Sequence, residues 1–268
     1  MKTLAVFGDS FSTPDKFRSH THICWVDILK EKYIVDNFSF QGSSIYYSYT
    51  KFKENYEKYD KIVFVVTTAS RIWARHIYED LRSIEQEHLG HINHQLQLLN
   101  KHYLNIVQTY PEKKLIINTF KAALYYYQYI QNTELDIFTA AGLIYEIKKL
   151  RPDVLMVSAL PSYVENEFHA DYLLDIVGHK NFLAEITLME HKAIGFNGWD
   201  DFQKYLDKKS LRDTRHCHIT DENNIILGNK MLQWIEDGKV TLNLEDFVKP
   251  SSFKEFKKKY LVKNNEHN

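Results

Sequence analysis

The sequence predicts an α/β fold built on a parallel sheet. Three observations predict it: short β-branched or aromatic runs recur along the chain, turn-type residues follow them, and helical stretches separate them. The first run is "TLAVF" (3–7). The second, "YIVDNFS" (33–39), follows the predicted helix "WVDILKEK". The third, "KIVFVV" (61–66), has the near-continuous apolar character of a strand buried on both faces. The fourth, "DVLMVSALP" (153–161), is entered through Pro152 after the predicted helix "ELDIFTAAGLIYEIKKL". In that helix Leu135, Phe138, Ala141, Ile144 and Ile147 form the expected apolar stripe.

The middle third reads differently. From Ile72 to Gln131 helix formers dominate, and "HINHQLQLLNKHYLNIVQTY" places Ile92, Leu96, Leu99, Tyr103, Ile106 and Tyr110 on one face. This region, about 72–131, is read as a helical elaboration on the sheet. "KKLIINTF" within it fits a strand or a helix start equally. No repeat, low-complexity segment or linker divides the chain, so 1–268 is read as a single domain. The basic C-terminal stretch at about 249–268, with "KEFKKKYLVKNNEHN", is read as a solvated, fraying tail.

Composition narrows the function. Hydrophobic residues make up 44% and charged residues 26%, a globular balance with ample material for a core. A formal net charge of -1 lacks the basic excess of nucleic-acid binders. The two cysteines, Cys24 and Cys217, do not make a disulfide framework, which points to a reduced compartment. "LAVF" is too short for the apolar region of a signal peptide, and no run approaches the ~20 apolar residues that span a bilayer. The expectation is a soluble, cytoplasmic protein without a membrane partner.

The chemistry is concentrated at the two ends of the chain. In "LAVFGDSFS" (4–12) a buried strand runs straight into Gly-Asp-Ser. Open α/β sheets place ligands at the carboxyl ends of their strands. Gly8 permits close backbone approach there, and Ser10 can project into the crevice. A serine nucleophile needs a base, and thirteen histidines make any lone histidine uninformative. "RDTRHCHITDENNIILGNKMLQWI" is more specific. His218 lies just before Thr220, the expected N-cap of a helix with Ile225, Ile226, Leu227, Met231, Leu232 and Ile235 as apolar positions. A histidine in a loop before a C-terminal helix can reach the end of the first strand.

Together these ends resemble the GDSL/SGNH hydrolase family. "FGDSFS" matches the first family block, which implies that Ser10 is the nucleophile. "NFSFQGSSI" (37–45) looks like the second block, which implies that the Gly42 N–H lines an oxyanion hole with that of Ser10. "HITDENNIILG" resembles the last block, with His218, Asn223 and Gly228 at its spacing. The resemblance implies a three-layer α/β/α sandwich with a flavodoxin-like parallel sheet. It implies ester hydrolysis without a metal or organic cofactor.

Two departures bear on the site. The third block supplies an asparagine, whereas this chain has "VVTTASR". Thr67, Thr68 or Ser70 can offer a hydroxyl there, and Arg71 a guanidinium; Thr68 is the favoured oxyanion donor. Ser70, Arg71 and Asp9 are candidate substrate contacts. The second departure is the acid, because Arg215 stands three residues before His218 where the family has aspartate. Either Asp213 orients His218, or His216 is the base with Asp213 three residues before it, or the site is a Ser–His dyad.

Other constellations are weaker. "HCH" (216–218) would set two histidines on one face of an extended segment as a metal pair with Cys217 alongside, but no partner motif completes the site. "HLGHINH" (88–94) fits a solvated helix face, and "ALYYYQYI" (123–130) fits a helix–helix seam. Nothing marks Cys217 as a stabilised thiolate. The resulting expectation is a serine esterase acting on small-molecule or glycan O-acyl esters. Acyl transfer is chemically adjacent, and a non-catalytic binding or structural protein that keeps the fold is the alternative.

Overall fold

The computed structural model describes residues 1–13, 22–67, 72–73, 83–84, 122, 125–159, 183–238 and 243–263. In chain order the elements are β1 (Lys2–Phe7), α1 (Trp25–Leu29), β2 (Tyr33–Asn37), α2 (Ile45–Asn55) and β3 (Lys61–Val66). A two-residue pair follows, β4 (Ile72–Trp73) and β5 (Ser83–Ile84), then α3 (Thr133–Leu150) and β6 (Leu155–Ser158). The C-terminal part holds α4 (Leu183–Ala193), α5 (Trp199–Lys209), β7 (Leu211–Asp213), α6 (Asp221–Asp237), α7 (Phe253–Tyr260) and β8 (Leu261–Lys263).

The main sheet has four strands in the order β2-β1-β3-β6, and every pairing is parallel. The strand period of two divides its side chains between two cores. Leu4, Val6, Val63, Val65 and Val157 pack on one face with Trp25 and Leu29 of α1, Leu183 and Ile186 of α4, and Leu227 and Met231 of α6. Ala5, Phe7, Ile62, Phe64, Val66 and Met156 pack on the other with Phe52 of α2 and Ile137, Ile144 and Ile147 of α3. The result is a three-layer α/β/α sandwich with a flavodoxin-like sheet.

Several local expectations are corrected. On α3 the buried stripe is Ile137, Ala140, Ile144 and Ile147, whereas Leu135 and Phe138 are exposed. The helix is apolar around much of its girth, so its periodicity did not single out the core face. Most of 72–131, including "KKLIINTF" and "HLGHINH", lies outside the described residues. Within that span Ile72–Trp73 and Ser83–Ile84 pair as an antiparallel ladder, and Tyr126–Ile130 form a π-helical turn. Tyr125 and Tyr129 stack on each other and stand exposed, not at a helix–helix seam.

The C-terminal stretch is folded through residue 263. Phe256 and Tyr260 of α7 and Leu261 of β8 are buried against Ile194, Phe202 and Leu206. β8 pairs antiparallel with β7. The lysines between these apolar residues occupy the outer face of a short amphipathic helix, which a reading by net charge alone misses.

The two cysteines are also joined. A Cys24–Cys217 disulfide links residues 193 apart in sequence, with Cα atoms 6.0 Å apart. This overturns the expectation of separate reduced thiols. Cys24 is the N-cap of α1, and Cys217 lies in the turn before α6. The fold brings these two places together because α1 and α6 pack against each other.

That packing depends on Gly228 in α6. A Cβ there would stand 2.5 Å from Ile28 Cβ and 2.9 Å from the Trp25 carbonyl oxygen. Glycine to alanine within a helix ordinarily stabilises by about 1 kcal/mol. Here Gly228→Ala is expected to destabilise by about 1–3 kcal/mol, since backbone must move to admit the methyl group. Urea unfolding followed by circular dichroism measures the sign directly.

Candidate active site

The site is built on the loops that leave β1 and β2 at their carboxyl ends and on Thr67 at the end of β3. β1 delivers Gly8 into a tight turn. Asp9 is fully buried, and its carboxylate accepts a hydrogen bond from the Phe11 N–H (3.0 Å) and one from the Thr67 hydroxyl (2.7 Å). Asp9 therefore braces the turn against the end of β3. It is corrected from a substrate contact to a turn brace, because a fully buried carboxylate does not face a substrate. Thr67 spends its hydroxyl proton on Asp9 and is not an oxyanion donor. Thr68, Ser70 and Arg71 lie outside the described residues.

The loop after β2 is fastened to the same turn. Phe40 N–H and Ser43 Oγ–H both donate to the Gly8 carbonyl, at 3.0 and 2.9 Å. Ser12 Oγ donates to Ser39 Oγ (2.8 Å), and Asn37 Nδ2 donates to the Ser12 carbonyl (2.7 Å). Gly42 adopts φ 66°, a left-handed conformation that favours glycine. Ser10 is half-buried at the apex of the turn. Thus the two sequence-predicted backbone donors, those of Ser10 and Gly42, belong to loops tied together through Gly8.

The histidine turn approaches from the opposite end of the chain. His216–His218 form a single 3-10 turn, not an extended segment, and Cys217 and His218 have φ 53° and 60°. The half-buried His218 ring lies 5.1 Å from that of Phe11, the residue after Ser10. It also meets the Trp199 ring edge-to-face at 4.9 Å. His216 is buried, and its ring meets that of His22 edge-to-face at 6.2 Å, while His22 bonds to Asp221 and Thr214. Among the described residues no group of three or more His, Cys, Asp or Glu could hold a metal ion.

Asp213 is engaged by Arg215. Arg215 donates to it from Nε (3.1 Å) and from Nη2 (2.7 Å), and its backbone N–H adds a third bond (3.0 Å). The fully buried Arg215 also donates from Nη1 to Glu190 Oε2 at 2.6 Å. Glu190 in turn accepts from the Thr220 N–H and hydroxyl and from Asn223 Nδ2. Burial opposes the Arg215 charge, but Asp213 and Glu190 outweigh it and hold its pKa above the ordinary value. The bonds described for Asp213 thus serve the guanidinium, and the family-like spacing of Asp213 to the histidines does not describe its main contact.

Arg215 Nη2 donates to His191 Nε2 at 2.9 Å, which puts the His191 proton on Nδ1. Among the described residues that buried Nδ1 has no hydrogen-bond partner. Burial, and next the Arg215 charge, lower the His191 pKa to about 3. Two further braces fix the histidine turn. Thr187 Oγ1 donates to the His218 carbonyl (3.0 Å), and Asn224 Nδ2 donates to the carbonyls of His216 and Ile219. The sequence reading missed Glu190, His191 and Thr187. One signal was present: Leu183, Thr187 and Glu190 recur at helical spacing, which sets a carboxylate on the core-facing stripe of α4.

No family model, curated protein or solved structure matches the chain.

Two outcomes follow from the buried charges. Arg215→Met leaves Glu190 and Asp213 without their cation and is expected to destabilise by about 3–5 kcal/mol in urea unfolding. His191 has a folded pKa below its unfolded value, so the unfolded state takes up the proton first as pH falls. Its contribution is complete above pH ~6.5 and is lost towards pH 3, at up to about 1.4 kcal/mol per pH unit. Unfolding free energies across this window should fall less steeply in His191→Gln than in the parent protein.

Proposed function

We propose that the protein is a serine hydrolase of carboxylic esters, with Ser10 as nucleophile and His218 as base. One observation carries the reading. The His218 ring packs on Phe11, so the histidine turn before α6 is held against the Gly-Asp-Ser turn after β1. His218 takes the Ser10 proton, Ser10 attacks the ester carbonyl, and an acyl-enzyme forms. The backbone N–H groups of Ser10 and Gly42 hold the developing oxyanion, with Thr68 as the third donor. His218 returns the proton to the leaving alcohol, and water then releases the acyl group. Asp213 acts on the histidine turn through Arg215.

The substrate class we propose is an O-acyl ester, including acyl groups on a sugar. Trp199 supports this choice: it is 38% exposed and lies beside His218, where an aromatic surface can pack against a sugar ring. The Cys24–Cys217 bond favours a compartment that sustains disulfides over the cytoplasm expected from the sequence. None of the described helices is long and apolar enough to cross a membrane.

A second reading, a binding protein that keeps the fold without chemistry, draws on Arg215. A guanidinium stands where the resembling family has its acid, and it holds Asp213. A serine-reactive fluorophosphonate separates the two readings, since it labels Ser10 only if the serine is activated. Ser10→Ala is expected to abolish labelling and to lower kcat on short p-nitrophenyl esters by at least about 10³-fold with the fold intact. His218→Ala should lose far more kcat/KM than His216→Ala. Wild-type turnover in Ser10→Ala would refute the nucleophile, and a larger loss at His216 would move the base.

A further inference from the structure

The disulfide joins the α1 N-cap to the residue between the two candidate bases. Its two cysteines are 0% and 2% exposed. Residues 217 and 218 both have positive φ, although neither is glycine. Such backbone costs energy and persists only where the surroundings over-determine it. Around this turn the determinants are identifiable. Asn224 holds the carbonyls on either side and also accepts from the Trp25 N–H. Thr187 holds the His218 carbonyl. The disulfide is the covalent member of this set, and the one that chemistry can remove without changing the sequence.

We propose that the Cys24–Cys217 disulfide positions His218 and makes the site redox-dependent, competent when oxidised and impaired when reduced. The inference rests on the Ser10–His218 reading and adds its regulation. A dithiol reductant breaks the S–S bond: its two thiols become a disulfide, and two electrons and two protons pass to Cys24 and Cys217. With the link cut, Cys217 and His218 relax towards negative φ. The imidazole then leaves its place against Phe11, while the sheet and both cores stay assembled. Because the sulfurs are buried, the reductant acts only when the α1–α6 seam opens locally, so reduction is slow.

The test measures the rate of fluorophosphonate labelling at Ser10 and the kcat and KM for a p-nitrophenyl ester. It compares protein purified under oxidising conditions with the same protein after dithiothreitol. Thiol counting by alkylation and mass spectrometry verifies each state. Circular dichroism fixes a temperature at which every form is folded. Reduction is expected to lower labelling and kcat by about 10²-fold, as an ångström-scale misplacement of a catalytic group does, with KM little changed. Reoxidation should restore both.

Cys217→Ser should match the reduced protein and ignore dithiothreitol. Cys217→Gly also lacks the link, but glycine accepts φ 53° without strain. It should label faster than Cys217→Ser and be equally insensitive to reductant. Equal rates in the verified oxidised and reduced proteins would overturn the proposal and leave the Ser10–His218 reading standing. So would two free thiols in protein purified under oxidising conditions. No labelling or turnover even in the oxidised protein would overturn that reading, and the proposal with it.

Discussion

The C-terminal half is organised around one buried cation. Arg215 is fully enclosed and bonded to Asp213, Glu190 and His191. Phe256 lies 4.9 Å and Phe202 5.6 Å from its guanidinium carbon. Removing a guanidinium from water costs several kcal/mol, so every donor direction must be answered. Answering them fixes the relative positions of β7, α4 and the start of α6. Glu190 carries the constraint onward, because it also bonds the Thr220 N–H and hydroxyl at the head of α6. A carboxylate at a helix N-terminus is doubly favourable, through its hydrogen bonds and through the helix dipole. Whatever the histidine turn does, its flanks are held by this network.

The N-terminal half meets it through the sheet. β1 lies between β2 and β3 and is buried on both faces, so the turn it delivers has little freedom. Gly8 makes the turn possible. A Cβ there would lie 2.4 Å from Ser12 Oγ and 2.7 Å from Val65 Cβ. The Gly8 carbonyl accepts from Phe40 and Ser43, which fastens the loop after β2 to the turn. Packing thus chooses the glycine, and the glycine's backbone gathers the site.

The sheet was legible in the sequence because its strands are short apolar runs punctuated by turns, and Lys61–Val66 matches its predicted strand from end to end. The turns at Ser10 and Gly42 and the cap at Thr220 were legible for the same reason: they are local. What escaped was non-local or ambiguous in period. The disulfide closes 193 residues and leaves no trace in spacing. Asp213 and Arg215 are two residues apart, but Arg215 is held as well by Glu190, 25 residues upstream, which no local spacing shows. The α3 core face was misread because polar residues do not bound it cleanly. The α7–β8 tail was misread because its lysines outnumber the three apolar residues, Phe256, Tyr260 and Leu261, that anchor it.

Two adjacent non-glycine residues with positive φ require an explanation, since each costs on the order of 1–3 kcal/mol. A turn that merely joined β7 to α6 would use glycine at those positions. This one spends stability on a cysteine and a histidine, and it recruits supports from α1, α4 and α6 to hold them. The supports differ in kind: side-chain amide bonds from Asn224, a hydroxyl bond from Thr187 and a covalent link from Cys24. Their shared geometric consequence is to set the His218 ring between Phe11 and Trp199. Strain concentrated at this ring is what the proposed Ser10–His218 reading calls for, because a relaxed turn would let the imidazole drift from its place against Phe11, next to Ser10.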